Sequence, residues 1–241
     1  RFGYKNKEMI NYLFDVDGTL TAARSLIDKG FKQFFGEWIT KVRGQGDAVF
    51  LVTGSDKPKT VEQVGVDLYR HMDGVYQNAG NQLFIRNHLI SESEWGMSPH
   101  LHLDLLMIVE KSRWAGTANV NLEERTGMVN FSTVGREATP KQREAYYEWD
   151  KAHGERKKIA EWLSLRYPRL EFSVGGKVSI DIFPKGKDKS QILKDMTGET
   201  IFFGDRCTEG GNDYSIAMKS DKYHQVDNWK DTRFIINSYY G

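Results

Sequence analysis

Two aspartates one residue apart, Asp15 and Asp17, follow the short apolar run 11–16 and precede Gly18-Thr19. A run of this kind reads as a buried strand that ends in a tight turn. Residues two apart on a strand share a face, so both carboxylates are expected on one side at the strand's end. Open α/β sheets bind ligands just beyond such ends. Close carboxylates suit two kinds of chemistry. They can hold a hard cation such as Mg²⁺, which prefers oxygen ligands and completes its shell with phosphate and water. One can also attack phosphorus to form an aspartyl phosphate, while the other, as a carboxyl of raised pKa, moves the proton. A lone D-x-D pair is equally a polar turn, so the reading depends on what else the chain offers.

Three further elements sit at strand ends or helix starts. Thr53-Gly54-Ser55 closes the apolar run 48–53, and the hydroxyl of either Thr53 or Ser55 could bond a phosphoryl group. Lys189, after Asp188, could neutralise charge on nucleophile and phosphate together. Gly204-Asp205 and Gly210-Gly211-Asn212-Asp213 add metal-type oxygens from Asp205, Asn212 and Asp213, and the N–H groups of a helix start. Each has a plain alternative: a turn, a surface lysine, an acidic glycine loop. Together, and in this order, they point to phosphoryl transfer.

The elements that must position these residues follow from periodicity. Strands are predicted at 11–16, 48–53 and 74–77, with a helix at 28–43 and a short one at 59–64. In the longer helix Phe31, Phe34, Phe35, Trp38, Ile39 and Val42 recur at three- and four-residue steps. The β-α-β-α-β order predicts a parallel sheet with helices on both faces. After Gly80 the rhythm changes to a hairpin at 82–90, a helix at 99–113, and two strands around Thr126-Gly127. Thr139-Pro140-Lys141-Gln142 then supplies an N-cap, a proline at the first helical position and a capping box. Two helices through Trp149 and Trp162 and two strands at 171–174 and 177–183 come next. From Asp188 the α/β rhythm resumes and runs to a last helix ending near Tyr239. The expected fold is therefore α/β: a Rossmann-like, doubly wound parallel-sheet core formed by 1–83 and 186–241, with an inserted α+β cap domain at 84–185.

Composition narrows the function classes. The 34 basic residues balance 33 acidic ones, a formal charge of +1, so no global field favours nucleic acid or an anionic membrane. No run approaches the roughly 18 apolar residues of a spanning helix. One cysteine, Cys207, excludes an internal disulfide framework and fits a reducing compartment, so a cytoplasmic location is expected. Cys207 beside Asp205 reads as incidental, and the six histidines form no metal set.

The motif at Asp15 to Thr19, DVDGT, together with Lys189 and the loop at Asp205, resembles the haloacid-dehalogenase-like phosphotransferases. DVDGTLTAAR, RTGMVNFSTVGR from Arg125 to Arg136, Arg143, FSVGGKVSIDIFPKG from Phe172 to Gly186, and FFGDRCTEGGND from Phe202 to Asp213 are similar to eukaryotic-type phosphomannomutases. The resemblance spans core and cap. It implies Asp15 as nucleophile, Asp17 as acid/base, and Mg²⁺ among Asp15, Asp17 and Asp205. It also implies Arg24, Arg125, Arg136, Arg143, Ser179 and Asp181, with the Gly175-Gly176 stretch, as sugar-phosphate contacts. A homodimer through the cap is implied as well.

A mutase differs from a phosphatase in needing two phosphate sites, because a bisphosphate intermediate must present either end to the aspartate. The second site should be cationic, and Arg125, Arg136 and Arg143 all fall in the insertion. Arginine's planar fork suits phosphate, and Arg143 lies in the first turns of the helix that Thr139 caps, where the dipole favours an anion. Ser179 and Asp181, two apart on a strand, share a face that could bond sugar hydroxyls. The implied reaction interconverts mannose 6-phosphate and mannose 1-phosphate, with hexose 1,6-bisphosphate as activator and glucose phosphates as possible further substrates. A sugar-phosphate phosphatase is the alternative, and a non-catalytic sugar-phosphate-binding protein the third reading. Four departures from the family pattern stand out: TGSD at 53–56 where relatives carry GGSD, no acidic segment after Asp213 for a second cation, a stretch from Glu92 to Arg113 unlike the family, and no arginine where one is expected shortly before Gly116.

Overall fold

A computed structural model describes residues 8–23, 25–114 and 119–241. The chain runs β1 (Ile10–Phe14), α1 (Lys29–Gly44), β2 (Ala48–Val52), α2 (Lys57–Val64), α3 (Val66–His71), β3 (Gly74–Gln77), β4 (Gln82–Ile85) and β5 (His88–Glu92). It continues with α4 (Pro99–Lys111), β6 (Leu122–Arg125), β7 (Met128–Phe131), α5 (Pro140–His153), α6 (Glu155–Arg166), β8 (Leu170–Gly175) and β9 (Ser179–Pro184). A 3₁₀ segment at Lys189–Asp195 leads to β10 (Glu199–Gly204), α7 (Tyr214–Lys219), β11 (Lys222–Gln225) and α8 (Trp229–Tyr239). Two compact units result: Arg1–Glu92 with Asp188–Gly241, and Ser93–Lys187.

The first unit is built on a seven-stranded sheet of order β11-β10-β1-β2-β3-β4-β5. The pairings from β11 to β3 are parallel and the last two antiparallel. Later strands lie to both sides of β1, so the order reverses there and a crevice is expected beyond its C-terminal end. Alternation along the strands sends Tyr12, Phe14, Val49, Leu51, Ile201 and Phe203 to one face, against the buried side chains of α1, α2, α3 and α8. Leu13 and Phe202 go to the other face, against Ile192, Ile216 and Ala217.

The aromatic stripe of α1 fixes the end of β1. Asp28 caps the helix by accepting from the Phe31 N–H at 2.9 Å, a contact worth about 1 kcal/mol. Phe31, Phe35 and Trp38 are buried, and each such burial contributes roughly 1.5–3 kcal/mol. Phe14 meets Phe35 edge-on at 5.0 Å between centroids and stacks on Phe203 at 4.5 Å. The residue before Asp15 is thus gripped by both a helix and the neighbouring strand.

The hairpin near residues 82–90 belongs to the first sheet, since Gln77 pairs with Gln82 and β4 extends the open edge of β3. The units therefore divide after Glu92 and after Lys187, later than the 84 and 185 boundaries expected from the change of rhythm. The segment after Asp188 is 3₁₀ rather than α-helical. Asp188 accepts from both the N–H and the Oγ of Ser190, at 2.8 and 2.5 Å, a cap two residues on that suits a tight turn.

The second unit carries a four-stranded antiparallel sheet of order β6-β7-β9-β8. Val129, Phe131, Phe172, Ile180 and Ile182 pack with Leu101 and Leu105 of α4 and Ala160 and Leu163 of α6. With that face closed, the alternate positions Glu123, Asn130, Asp181 and Ser173 line up across the other, each registered opposite the next. The capping box at Thr139 is formed: Thr139 Oγ1 accepts from the Gln142 N–H at 3.3 Å and Gln142 Oε1 from the Thr139 N–H at 2.8 Å. Among the described residues, no helix is long and apolar enough to cross a membrane.

Candidate active site

Asp15 follows β1 directly and its N–H still bonds the Phe203 carbonyl at 2.9 Å, so the strand ladder sets its position. The Lys189 ammonium donates to Asp15 Oδ1 at 2.5 Å and to Asp213 Oδ1 at 2.6 Å. Only 2% of the lysine side chain and none of that of Asp213 is exposed. Asp205 follows β10, the strand beside β1. Asp15, Asp205 and Asp213 each offer a carboxylate oxygen, all within 4.8 Å of one another. Two glycines make this crowding possible. A Cβ on Gly18, whose φ is +87°, would strike the Asp205 carboxylate, and one on Gly204 would strike Asp213.

Asp15 and Asp213 share the Lys189 ammonium while Asp205 faces the exposed Arg206 at 3.8 Å, so the cluster holds more carboxylates than buried cations. Burial, reinforced by Asp213 and opposed by Lys189, pushes the Asp15 carboxyl up to about 7. Burial and then Asp213 push Asp205 up to about 6. Burial works against the Lys189 charge, but Asp15 and Asp213 outweigh it and the lysine is held protonated. The donors are hard oxygens, clustered and electron-rich, and they fit Mg²⁺. Asn212 is exposed on the loop before Asp213.

Asp17 has a different environment. Its Oδ2 accepts from Lys59 Nζ at 2.7 Å and from Ser55 Oγ at 3.4 Å, and its Oδ1 accepts from Gln63 Nε2 at 2.7 Å. Lys59 also donates to Ser55 Oγ at 2.9 Å. The Thr53 hydroxyl instead accepts from the Ser55 N–H at 3.1 Å and closes the turn. Of the two candidate hydroxyls, Ser55 is the one beside Asp17. Sequence reading missed Lys59 and Gln63, although the two lie four residues apart on one face of α2, just after Ser55. Cys207 is buried and its thiol is pushed up to about 12 by that burial, so it is inert, in keeping with the sequence reading.

In the second unit, Arg125 and Arg136 converge on Glu123. Arg125 reaches Glu123 Oε1 at 2.7 Å and Arg136 pairs with Oε2. Arg136 also donates to Asn130 Oδ1 at 2.7 Å, and Asn130 donates to Asp181 Oδ1 at 2.5 Å. Burial raises the Asp181 pKa, against the pull of Asn130 and the two arginines. Ser179 is buried two positions earlier on β9, opposite Gly175. A Cβ on Gly175 would sit 3.4 Å from Asp181 Oδ2, and Gly176 turns the chain with φ of +53°. Arg143 is partly buried on α5. Arg24 lies outside the described residues. Glu123 and Asn130 were not singled out from sequence, and only their alternation with the buried positions of β6 and β7 marks them.

Three comparisons bear on this arrangement. The family model for eukaryotic phosphomannomutase matches residues 35–240. A phosphomannomutase of Saccharomyces cerevisiae is 34% identical, over 96% of this chain and 94% of the relative. Phosphomannomutase 1 of Mus musculus is 33% identical, over 95% and 92%. Among solved structures, a sugar phosphatase of haloacid-dehalogenase subclass IIB superposes with a TM-score of 0.57 at 16% identity, covering 95% of this chain and 98% of that one. The last likeness shows the haloacid-dehalogenase fold: a parallel-sheet core with a second, inserted unit. With the family match extending over most of the sequence and the acidic cluster at the end of β1, the chain belongs to the eukaryotic phosphomannomutase family.

Proposed function

We propose that the protein is a hexose phosphomutase that interconverts mannose 6-phosphate and mannose 1-phosphate, and acts to some extent on glucose phosphates. The observation that carries this reading is the Asp15–Lys189–Asp213 chain of ion pairs with Asp205 alongside, in a member of this family. Asp15 attacks phosphorus and carries the phosphoryl group as an acyl phosphate. Asp17, held by Lys59 and Gln63, gives its proton to the leaving sugar hydroxyl and takes one from the incoming hydroxyl. Lys189 compensates the charge of the Asp15 carboxylate before attack and that of the phosphoryl oxygens during transfer. Ser55 is the hydroxyl positioned to contact that group. Asp15, Asp205 and Asp213 would hold Mg²⁺, which when bound supplies positive charge to the transferring phosphate.

Arg125, Arg136 and Arg143 grip the phosphate at the far end of the sugar, Arg24 is a further sugar-phosphate contact, and Ser179, Asp181 and the Gly175-Gly176 turn meet the hydroxyls. A bisphosphate then exchanges ends between the two phosphate sites, so hexose 1,6-bisphosphate primes the cycle. The second unit acts as a cap that excludes water while Asp15 is phosphorylated. We also propose a cytoplasmic homodimer joined through that unit, which light scattering checks.

The test is a coupled assay on mannose 1-phosphate and glucose 1-phosphate, with and without hexose 1,6-bisphosphate, with free phosphate followed in parallel. Isomerisation that depends on the bisphosphate is expected. Rapid phosphate release without activator and without isomerisation would turn the reading to a phosphatase.

A further inference from the structure

Glu155 and Arg156 stand where α5 meets α6, next to Gly154, whose φ of +63° lets the two helices join through one residue. Arg156 is only 5% exposed. Its backbone N–H and its Nε donate to the two oxygens of Asp150, at 2.9 and 2.7 Å. That contact alone would satisfy the buried charge. The other arm goes further: Nη1 donates to the carbonyls of Gly175 at 3.1 Å, Gly176 at 3.2 Å and Ser179 at 3.5 Å. Three carbonyls of one turn therefore converge on one guanidinium.

Glu155 reaches the opposite way. Its carboxylate accepts from Ser112 Oγ at 2.6 Å, Tyr146 OH at 2.8 Å and Thr133 Oγ1 at 3.1 Å. Thr133 lies in the loop between β7 and α5 that also carries Arg136, and Tyr146 is fully buried on α5, the helix of Arg143. Two adjacent residues thus hold the two segments that leave the same end of the second unit's sheet, as the Phe131–Ile180 and Gly175–Ser179 register shows. Site geometry is kept by such supporting shells, because a turn or loop alone fixes its side chains poorly.

We infer that Glu155 and Arg156 are positioning residues for sugar-phosphate binding, Arg156 through the Gly175-Gly176 turn and Glu155 through the Arg136 loop. This rests on the phosphomutase reading. Neither residue touches reacting atoms. A lysine cannot replace Arg156 here, since one ammonium lacks the planar fork that serves Asp150 and the carbonyls at once.

Arg156→Lys keeps a cation for Asp150 and removes the second arm, while Glu155→Gln keeps shape and loses charge. Each is expected to raise KM for mannose 1-phosphate about tenfold or more, with a smaller change in kcat. Phosphoryl transfer from acetyl phosphate to Asp15, whose partners Lys189, Asp205 and Asp213 lie in the first unit, should stay within about twofold of wild type. Ser112→Ala, outside the proposed sugar-phosphate contacts, removes one donor to Glu155; it should raise KM about threefold or more and serves if the buried variants fail to fold. The inference is overturned if KM stays within about twofold in every variant that folds, or if both reactions fall in step with lost thermal stability. No hexose-phosphate turnover by the wild type would overturn the phosphomutase reading along with it. Normal wild-type turnover with unshifted variants would overturn this inference alone.

Discussion

The first unit crowds its charges into a nearly dry corner, whereas the second spreads them along one face of a sheet. At the end of β1, two of three clustered carboxylates, Asp15 and Asp213, share the buried ammonium of Lys189, and Asp205 faces the exposed Arg206 at 3.8 Å. On the second unit, two guanidiniums with about a fifth of their side chains exposed share the carboxylate of Glu123. One region holds more carboxylates than buried cations, and in the other Arg125 and Arg136 face Glu123 and Asp181. The physical consequence differs too. Where water is excluded, deleting one charge strands its partners, but where solvent reaches the groups, the loss is largely screened. The first arrangement suits making and breaking a bond to phosphorus, and the second suits holding an anion still.

The most severe break of that contrast is at Asp15. Asp15→Asn keeps size and removes the nucleophile, so isomerisation should fall by about 10⁴-fold or more with the far-ultraviolet circular dichroism unchanged. Activity within tenfold of wild type would remove Asp15 from the chemistry. Lys189→Met comes next. It leaves Asp15 and Asp213 facing each other without their cation, which should cost about 3–5 kcal/mol in urea unfolding. The matching change in the second unit, Arg136→Gln, should cost about 1 kcal/mol or less of stability. It should instead raise KM for mannose 1-phosphate roughly 10- to 100-fold, the worth of a charge-assisted bond to phosphate. If Arg136→Gln destabilised the fold as much as Lys189→Met, the distinction between the two regions would fail.

What could be read from sequence follows the same divide between local and distant causes. The stripe of α1 and the cap at Thr139 depend on residues three or four apart, and both formed as expected. Asp15 and Asp205 were legible because strand ends can be located from apolar runs. The Lys189–Asp15 pair spans 174 residues, and no periodicity encodes such a contact. The hairpin was located from its rhythm, but the boundary expected at 84 cut through it, because alternation in β4 says which positions are buried and not which edge the strand joins. Asp17 shares a motif with Asp15, yet Lys59, Ser55 and Gln63 draw its carboxylate to α2. Glu123 went unnoticed because an acid two residues before an arginine is ordinary on a strand; only the convergence of Arg136 gives it meaning.

The smallest expected effect is also the one that reads the charge imbalance most directly. Burial and the neighbouring carboxylates push Asp15 up to about 7 and Asp205 up to about 6 in the folded protein, against about 3.9 for an aspartate in the unfolded chain. Between about pH 4 and pH 7 the folded state therefore keeps protons that the unfolded state has released, so stability falls as pH rises through that window and these groups add no further change above it. A divalent cation takes the place of those protons, and it binds best once the carboxylates are ionised. Thermal melts with excess MgCl₂ should accordingly gain a few degrees at about pH 8 and much less at about pH 5. Asp205→Asn should reduce the gain at the higher pH, while Arg136→Gln should leave it intact because its guanidinium belongs to the other charge cluster. An equal gain at both pH values, or one insensitive to Asp205, would mean that the cation is not drawn by the surplus charge at the end of β1.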